Sequence, residues 1–245
     1  MTKEPKILLW DIETSLAKVA TFSCYPKYIS HDAILEDPYM LCGAYKWLGK
    51  KRVKHFRLSK SELMVGDDKR IVESLCKVVE EADIIVGHNG DKFDLRWLKG
   101  RAIVHDLPPV NHVKTVDTLK VARKYGKLMS NRLDYLGKLL FGEGKLHTSS
   151  GLWMRCLAGD LDALKEMVEY NKVDVELLEK VYLRYRPWIE NHPNMSVATT
   201  GSAGDCKACG HGHSQKFGTT FTQAKRYQKY RCTNCGHVFR DNKPL

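Results

Sequence analysis

The four cysteines nearest the C-terminus form two Cys-x-x-Cys pairs, and this spacing restricts what their segment can fold into. Cys206 and Cys209 are the first pair, Cys232 and Cys235 the second, and 22 residues separate the pairs. Each Cys-x-x-Cys turn directs two thiolates at one ion, and four thiolates match the tetrahedral coordination of structural Zn²⁺. Such a site has no open position for catalysis, so we expect one zinc ion that stabilises this segment.

The segment from residue 204 to residue 245 resembles a zinc ribbon. His211 and His213 lie beside the first pair, but four cysteines already complete the ligand set, so both are expected at the surface. Basic and aromatic residues alternate between the pairs, in Lys225-Arg-Tyr-Gln-Lys-Tyr-Arg231. Cations and rings together suit single-stranded nucleic acid. The alternative is a minimal core of rings beneath solvated basic residues. The other four cysteines are scattered singly and are interpreted as buried or incidental thiols.

Composition places the chain among ordinary globular proteins. Hydrophobic residues make up 43% and charged residues 28% of the 245 residues, which excludes wholesale disorder and collagen-like repeats. The net charge of +11 favours a polyanionic partner, nucleic acid above all. No apolar run approaches the roughly 18 residues of a membrane span, and the N-terminus lacks the features of a secretory signal. We therefore expect a cytoplasmic protein with no membrane partner.

Charge is distributed unevenly along the chain. The last 55 residues hold eight Lys and Arg but only two Asp and Glu, which is more than half of the net positive charge. Two prolines and then small polar residues separate this part from what precedes it. The sequence therefore predicts a larger domain over residues 1–190, a linker over 191–203 and the cysteine module over 204–245.

The first 190 residues predict a mixed α/β domain. Strand patterns cover residues 6–10, the hairpin 39–48 and 53–58, then 83–87 and 113–116. Helical patterns cover residues 67–81, 94–104, 117–125, 133–141, 151–157 and 161–186, and Pro187 ends the last of them. Strands early and helices late predict a mixed sheet flanked by helices.

Three acidic signals lie far apart in this domain. Asp11 and Glu13 directly follow the first strand, and their spacing sends both carboxylates to one side of an extended chain. Asp94 follows a buried strand and begins a helix, where the helix dipole offers an alternative reason for an acid. Tyr170 and Asp174 share one face of the last helix. Neighbouring carboxylates favour Mg²⁺ or Mn²⁺ between them, although each signal taken alone also fits solvated surface acids.

Two other polar residues are interpreted without a role in the chemistry. Asp117 precedes a helix and is interpreted as its N-cap, rather than as an additional active-site acid. Lys145 lies in a glycine-rich stretch without a phosphate-loop pattern around it, so we expect a solvated side chain.

Together the acidic signals resemble the three motifs of the DEDD superfamily, the DnaQ-like 3′-to-5′ exonucleases with an RNase H-like fold. Asp-x-Glu-Thr, Asn-x-x-x-Phe-Asp and Tyr-x-x-x-Asp occur in that order over residues 5–186. The third motif has Tyr170 four residues before Asp174, which resembles the tyrosine sub-class, DEDDy. The spacing is most similar to the proofreading domain of family B DNA polymerases and to the YprB-like stand-alone nucleases.

The resemblance implies a role for each motif residue. Asp11 would bridge two Mg²⁺ or Mn²⁺ ions, Glu13 and Asp174 would complete the site of the water-activating ion, and Asp94 would hold the second ion mainly through waters. Tyr170 would orient the attacking water. Asn89 and Phe93 lie where members of the family contact the terminal nucleotide, while a loop cap and a core aromatic residue are their alternatives.

The sequence thus predicts an RNase H-like α/β nuclease with a small C-terminal zinc ribbon. The expected function is metal-dependent 3′-to-5′ hydrolysis of single-stranded DNA, in proofreading or repair for a separate DNA polymerase or replication factor. An exoribonuclease of the same fold and a non-catalytic nucleic-acid adaptor are the alternatives, because nothing in the sequence reports a contact to a 2′-hydroxyl.

Overall fold

The structure, a computed structural model, describes residues 5–110, 114–144, 150–198 and 204–245, so Lys145 and Val113 lie outside the described residues. Its strands are β1 Ile7–Thr14, β2 Lys18–Val19, β3 Ile34–Glu36, β4 Met40–Trp47, β5 Lys54–Arg57, β6 Ile84–Gly87, β7 Lys114–Asp117, β8 Ser214–Phe221, β9 Arg226–Cys232 and β10 Val238–Pro244. Its α-helices are α1 Lys60–Val65, α2 Lys69–Glu80, α3 Asp94–Val104, α4 Thr118–Tyr125, α5 Leu133–Phe141, α6 Ser150–Leu157 and α7 Leu161–Tyr185.

Five strands form a mixed sheet in the order β5-β4-β1-β6-β7. β1 pairs antiparallel with β4 and parallel with β6; β5 extends the antiparallel side and β7 the parallel side. The Ile-Ile-Val-Gly sequence of β6 is buried throughout, as expected for a parallel strand covered on both faces. The structure confirms the predicted mixed α/β fold.

Helices cover both faces of this sheet, and the side chains of β1 point alternately into the two hydrophobic cores between sheet and helices. Leu8 and Trp10 point into the core that also contains α2 and α3, whereas Leu9 points into the core of α4 and α5. Helix α7 contributes to both cores, through Val168 in its first half and Val175 in its second. The middle of α7 therefore lies where the two cores meet.

Strand β1 is longer than the sequence indicates. The apolar run ends at Trp10, but Asp11 pairs with Ala44 and Glu13 with Cys42 on β4, so both acids lie within the strand and not after it. The backbone ladder to β4 continues where the apolar pattern stops, because strand pairing depends on the main chain. The two-residue spacing still directs both carboxylates to one face.

The C-terminal residues form a separate three-stranded antiparallel sheet in the order β10-β9-β8. Part of the interval predicted as a linker packs against the larger domain: His192 and Met195 are buried, and Met195 joins the core of α4 and α5. Residues 199–203 of that interval lie outside the described residues. Among the residues that the structure describes, no helix combines the length and apolar composition needed to cross a bilayer.

Candidate active site

Three carboxylates meet beside the middle of α7. Asp11 and Glu13 extend from β1, and Asp174 lies on α7 with only 1% of its surface exposed. One oxygen from each of the three lies within 4.8 Å of the others. Three negative charges at this separation repel one another strongly unless a cation lies between them. Carboxylate oxygens are the ligands that Mg²⁺ and Mn²⁺ prefer, so this donor set fits a divalent cation.

Asn171 is a residue of this cluster that the sequence analysis missed. Its side chain is fully buried, and its Nδ2 donates a hydrogen bond to Asp11 Oδ2 at 2.7 Å. Asn171 precedes Asp174 by three residues, so both side chains lie on one face of α7. This spacing is the signal in the sequence that identifies it, because a polar residue three positions from a motif acid faces the same site.

The thiol of Cys42 lies beneath the acidic cluster and stays neutral. Burial raises the pKa of Cys42 well above its usual range, and the negative charges of Glu13 and Asp11 raise it further. Its Sγ lies 4.0 Å from Asn171 Oδ1. The interpretation of this cysteine as a buried thiol is confirmed.

Asp94 reaches the same region from α3. The side chain is 2% exposed, and its Oδ1 accepts a hydrogen bond from the backbone N–H of Ile12, the residue between Asp11 and Glu13, at 3.0 Å. Asp94 is not one of the three acids within 4.8 Å of one another. Its contact with Ile12 nevertheless fixes it to the strand that carries two of them.

The loop before Asp94 is tightly folded. A Cβ atom on Gly90 would lie 3.1 Å from the Cα atom of Gly87, so the two backbones approach too closely for larger residues. Asn89 has a positive φ of 69°, a conformation that asparagine tolerates better than most residues. Its N–H donates to Asp117 Oδ1 at 2.9 Å, and the same carboxylate caps α4, which confirms the predicted N-cap.

Tyr170 and Phe93 are the two aromatic residues of the predicted site, and they lie on different helices or helix ends. Tyr170 precedes Asp174 by about one turn of α7 and packs edge-on against Trp153, with the ring centroids 6.2 Å apart. Phe93 is 39% exposed and lines a groove of about 620 Å³ beside α3. Lys92 and Arg96 line the same groove.

The four cysteines of the C-terminal segment form one cluster. Their Sγ atoms lie within 4.8 Å of one another, with Cys206 to Cys235 and Cys209 to Cys232 both at 3.6 Å. Tetrahedral thiolates about 2.3 Å from Zn²⁺ would have nearly this separation, so the donor set fits zinc. The crowded sulfurs share protons: the hydrogen bond with Cys206 lowers the pKa of Cys209 and raises that of Cys206.

The comparison with known proteins agrees with the fold. A sequence profile of the RNase H superfamily matches residues 35–185, more than half of the chain. The chain therefore belongs to the RNase H superfamily, which indicates a hydrolase that cleaves nucleic acid. The matched range contains Asp94, Tyr170 and Asp174 and begins after Asp11 and Glu13.

A DNA polymerase of Methanocaldococcus jannaschii is similar to part of the chain. The two sequences are 26% identical over 88 residues. This segment is 36% of the present chain and 5% of the polymerase, so the chain spans a small fraction of that protein's length.

Proposed function

We propose that this protein is a metal-dependent 3′-to-5′ exonuclease of the DEDDy type that acts on single-stranded DNA. The observation that carries the proposal is the convergence of Asp11, Glu13 and Asp174 within 4.8 Å, in an order along the chain that resembles the exonuclease motifs. The local similarity to a DNA polymerase supports DNA as the substrate. A role in proofreading or repair beside a separate polymerase or replication factor follows from the same resemblance.

Asp11, Glu13 and Asp174 would hold one Mg²⁺ or Mn²⁺ ion, and Asp94 with Asp11 would hold a second. When bound, such a pair makes water nucleophilic near neutral pH and stabilises charge on the scissile phosphate and the leaving 3′-oxygen. The protein contributes the position of the acids. Asn171 holds Asp11 through the 2.7 Å hydrogen bond, and the backbone of Ile12 holds Asp94.

Tyr170 would orient the attacking water through its hydroxyl group. Its ring is fixed by the edge-on contact with Trp153, and its position one turn before Asp174 directs it to the same side of α7. An oriented water molecule reacts faster because less orientational freedom is lost on reaching the transition state.

The DNA strand would approach along α3. Phe93 offers an exposed ring for the terminal base, and the strained loop presents Asn89 next to it. Lys92 and Arg96 are exposed along the same groove, where cations attract the phosphates of the following nucleotides. Bases stack on aromatic rings without regard to sequence, so we expect little sequence preference.

The four clustered cysteines would hold one structural Zn²⁺ ion. Their hydrophobic surroundings are small, with Ala208 and Phe239 as the other buried apolar members. Because so little apolar surface is buried there, zinc binding would supply much of the folding free energy of residues 204–245.

The exonuclease proposal is tested with a 20-nucleotide single strand labelled at its 5′ end, and with a second strand labelled at its 3′ end. With Mg²⁺ or Mn²⁺ we expect the 5′ label to appear in a ladder of shortening products and the 3′ label to be released at once as a mononucleotide. EDTA should stop both reactions. Internal cleavage of a circular single strand would overturn the assignment as an exonuclease. Faster degradation of a matched RNA would overturn DNA as the substrate.

A further inference from the structure

The two faces of the C-terminal sheet have different chemistry. Side chains alternate along β9, so Tyr230 points to the cysteine cluster, where it stacks on Phe239 with a centroid distance of 5.8 Å. Tyr227, Lys229 and Arg231 occupy the other face of the strand. Part of the aromatic content of this segment thus forms the small core around the cysteines, and the rest faces away from it.

Cations lie over the aromatic rings on this second face. The guanidinium carbon of Arg231 is 3.7 Å from the ring centroid of Phe217, and Lys229 Nζ is 5.4 Å from the same centroid. Arg240 lies 4.1 Å from the ring of Tyr227. We call these five residues the basic aromatic face. Phe217 is 40% exposed, so its ring remains accessible to a ligand.

A β-bulge helps to build this arrangement. The register between β8 and β9 shifts between Lys216 and Thr219, so Phe217 and Gly218 together lie opposite Lys229. Gly218 has a φ of +77°, which larger residues rarely adopt. The extra residue bends β8 and turns the Phe217 ring over the cations of β9.

The positive charge of this face is not balanced by acids. In the part of the chain that the structure describes, Lys229, Arg231 and Arg240 form no ion pair with an acid. The two acids of the segment are Asp205, which is buried, and Asp241. Cations without acidic partners, beside the exposed ring of Phe217 and the half-buried ring of Tyr227, match the two features of a nucleic-acid strand, its phosphates and its bases.

The face is held in a defined place relative to the acidic cluster. Met195 N–H donates to Lys207 O at 2.8 Å, and His237 Nδ1 lies 2.8 Å from Pro187 O, just beyond the end of α7. Asp174 lies 11 residues before Tyr185, the last residue of α7, which is about 17 Å along the helix axis. The C-terminal sheet is thus attached about three turns of helix away from the acids.

We propose that the basic aromatic face binds a single-stranded DNA segment upstream of the 3′ end that occupies the acidic site. This inference rests on the proposed function for the identity of the strand. Phe217 and Tyr227 stack on bases, and Lys229, Arg231 and Arg240 contact phosphates. The face increases the affinity for strands long enough to reach both places and contributes nothing to very short ones.

Binding of fluorescent dT20 by the full chain tests the proposal, with Asp11→Asn in every protein so that the strand stays intact. The double variant Arg231→Gln/Arg240→Gln removes two charges from the face, and Phe217→Leu removes the ring but keeps an apolar side chain. We expect about tenfold weaker binding for each. For the double variant, the slope of log affinity against log salt should fall by about 1.4.

The matched control is Lys216→Gln/Arg226→Gln, which removes two exposed charges from the opposite side of the same strands. It should retain most of the affinity. The assignment of the face would be overturned if the control lost as much affinity as Arg231→Gln/Arg240→Gln. It would also be overturned if both Arg231→Gln/Arg240→Gln and Phe217→Leu bound dT20 as tightly as the parent protein. Thermal unfolding midpoints identify any variant that has lost its fold, and Phe217→Leu and the double variant test the face independently.

Hydrolysis by the same variants with Asp11 intact separates this proposal from the proposed function. The ratio of kcat/KM for dT20 to kcat/KM for dT3 should fall about tenfold in the face variants, through KM, because a trinucleotide is too short to reach the face. If the protein hydrolyses neither strand, the proposed function fails, while the binding comparison still decides whether the face contacts DNA. If the ratio of the two kcat/KM values is the same in the face variants as in the wild type, the proposal that the basic aromatic face binds DNA is contradicted.

Discussion

Asn171 fixes the position of Asp11 in the acidic cluster. It uses one hydrogen bond of 2.7 Å to fix Asp11, the acid that would be shared between two ions. Groups that orient a metal ligand typically change metal affinity by about 10- to 100-fold when they are removed. The buried amide is therefore a positioning residue and has no contact with the substrate in the proposed mechanism.

We predict that Asn171→Ala weakens Mn²⁺ binding by about tenfold or more and raises the Mn²⁺ concentration needed for half-maximal activity by a similar factor. Isothermal titration measures the first quantity, and hydrolysis rates across a Mn²⁺ series measure the second. Glu176→Ala, an exposed position on the same helix, is the control. If Asn171→Ala only lowers thermal stability and binds Mn²⁺ normally, the residue has a purely structural role.

Tyr170→Phe separates the hydroxyl group from the ring. The ring contact with Trp153 is preserved, so we expect the variant to keep its fold. Loss of the hydroxyl should lower kcat by about 10- to 100-fold with little change in KM, because the group acts on the water and not on the strand. Steady-state kinetics on dT20 provides both constants. A wild-type kcat would show that the hydroxyl takes no part.

The sequence predicts which acids form the candidate site. It predicts the shared orientation of Asp11 and Glu13, but not their contact with Asp174. The two-residue spacing in β1 places Asp11 and Glu13 on one face whatever their partners are. Their meeting with Asp174 depends on the packing of α7 across the sheet, a long-range contact that spacing alone does not reveal. Asn171 was missed because a buried amide carries no charge pattern of its own.

At the scale of secondary-structure elements, Asp117 connects two parts of the site region. Its carboxylate accepts hydrogen bonds from Leu119 and Lys120 at the start of α4 and from the N–H of Asn89. One side chain therefore ends β7, begins α4 and holds the strained loop that leads to Asp94. Both Asn89 and the α4 terminus would lose a partner if the carboxylate were removed.

We predict that Asp117→Ala lowers the free energy of unfolding by about 1 to 2 kcal/mol, the usual effect of losing an N-cap. Urea denaturation measures the change. Asp91→Ala is the control: it removes an exposed ion pair with Lys120 and should cost less than about 1 kcal/mol. Equal effects of the two substitutions would argue against Asp117 as the cap.

The helices of eight or more residues were all predicted from the sequence, whereas the shortest helix and the two shortest strands were not. The helix from Asp94 to Val104 and the helix from Leu133 to Phe141 have the predicted bounds. Strands β2 and β3 are two and three residues long and carry no clear alternation. Helix α1 was also missed, although Ser59 and Glu62 form a capping box that marks its start.

At the scale of the whole molecule, His192 is a buried histidine in the segment between the larger domain and the C-terminal sheet. Its Nδ1 lies 2.8 Å from Pro193 O and its Nε2 lies 2.9 Å from the hydroxyl of Tyr182. Burial, together with the charges of Arg186 and His237, lowers the pKa of His192 to about 4. The neutral ring donates from Nδ1 to the carbonyl and accepts from Tyr182, whose pKa burial raises to about 12.

The free energy of unfolding should therefore fall as the pH falls from about 6.5 to 4. In this window the unfolded chain binds a proton at His192 and the folded chain does not, which favours unfolding. Between pH 7 and pH 5 we expect a loss of about 2 kcal/mol from this residue. Urea titrations should show this difference reduced in His192→Gln and retained in His31→Gln, an exposed control. The same pH dependence in all three proteins would contradict the account.

The most direct test of the acidic cluster is the rate constant for removal of the first nucleotide from dT20 in Mg²⁺. Asp174→Asn preserves the shape of a buried side chain and removes one ligand charge, so the fold should be retained while the rate falls by roughly a thousandfold. Glu176→Gln should react at the wild-type rate. An Asp174→Asn protein that stays within tenfold of wild type would show that the acidic cluster is not the site of hydrolysis.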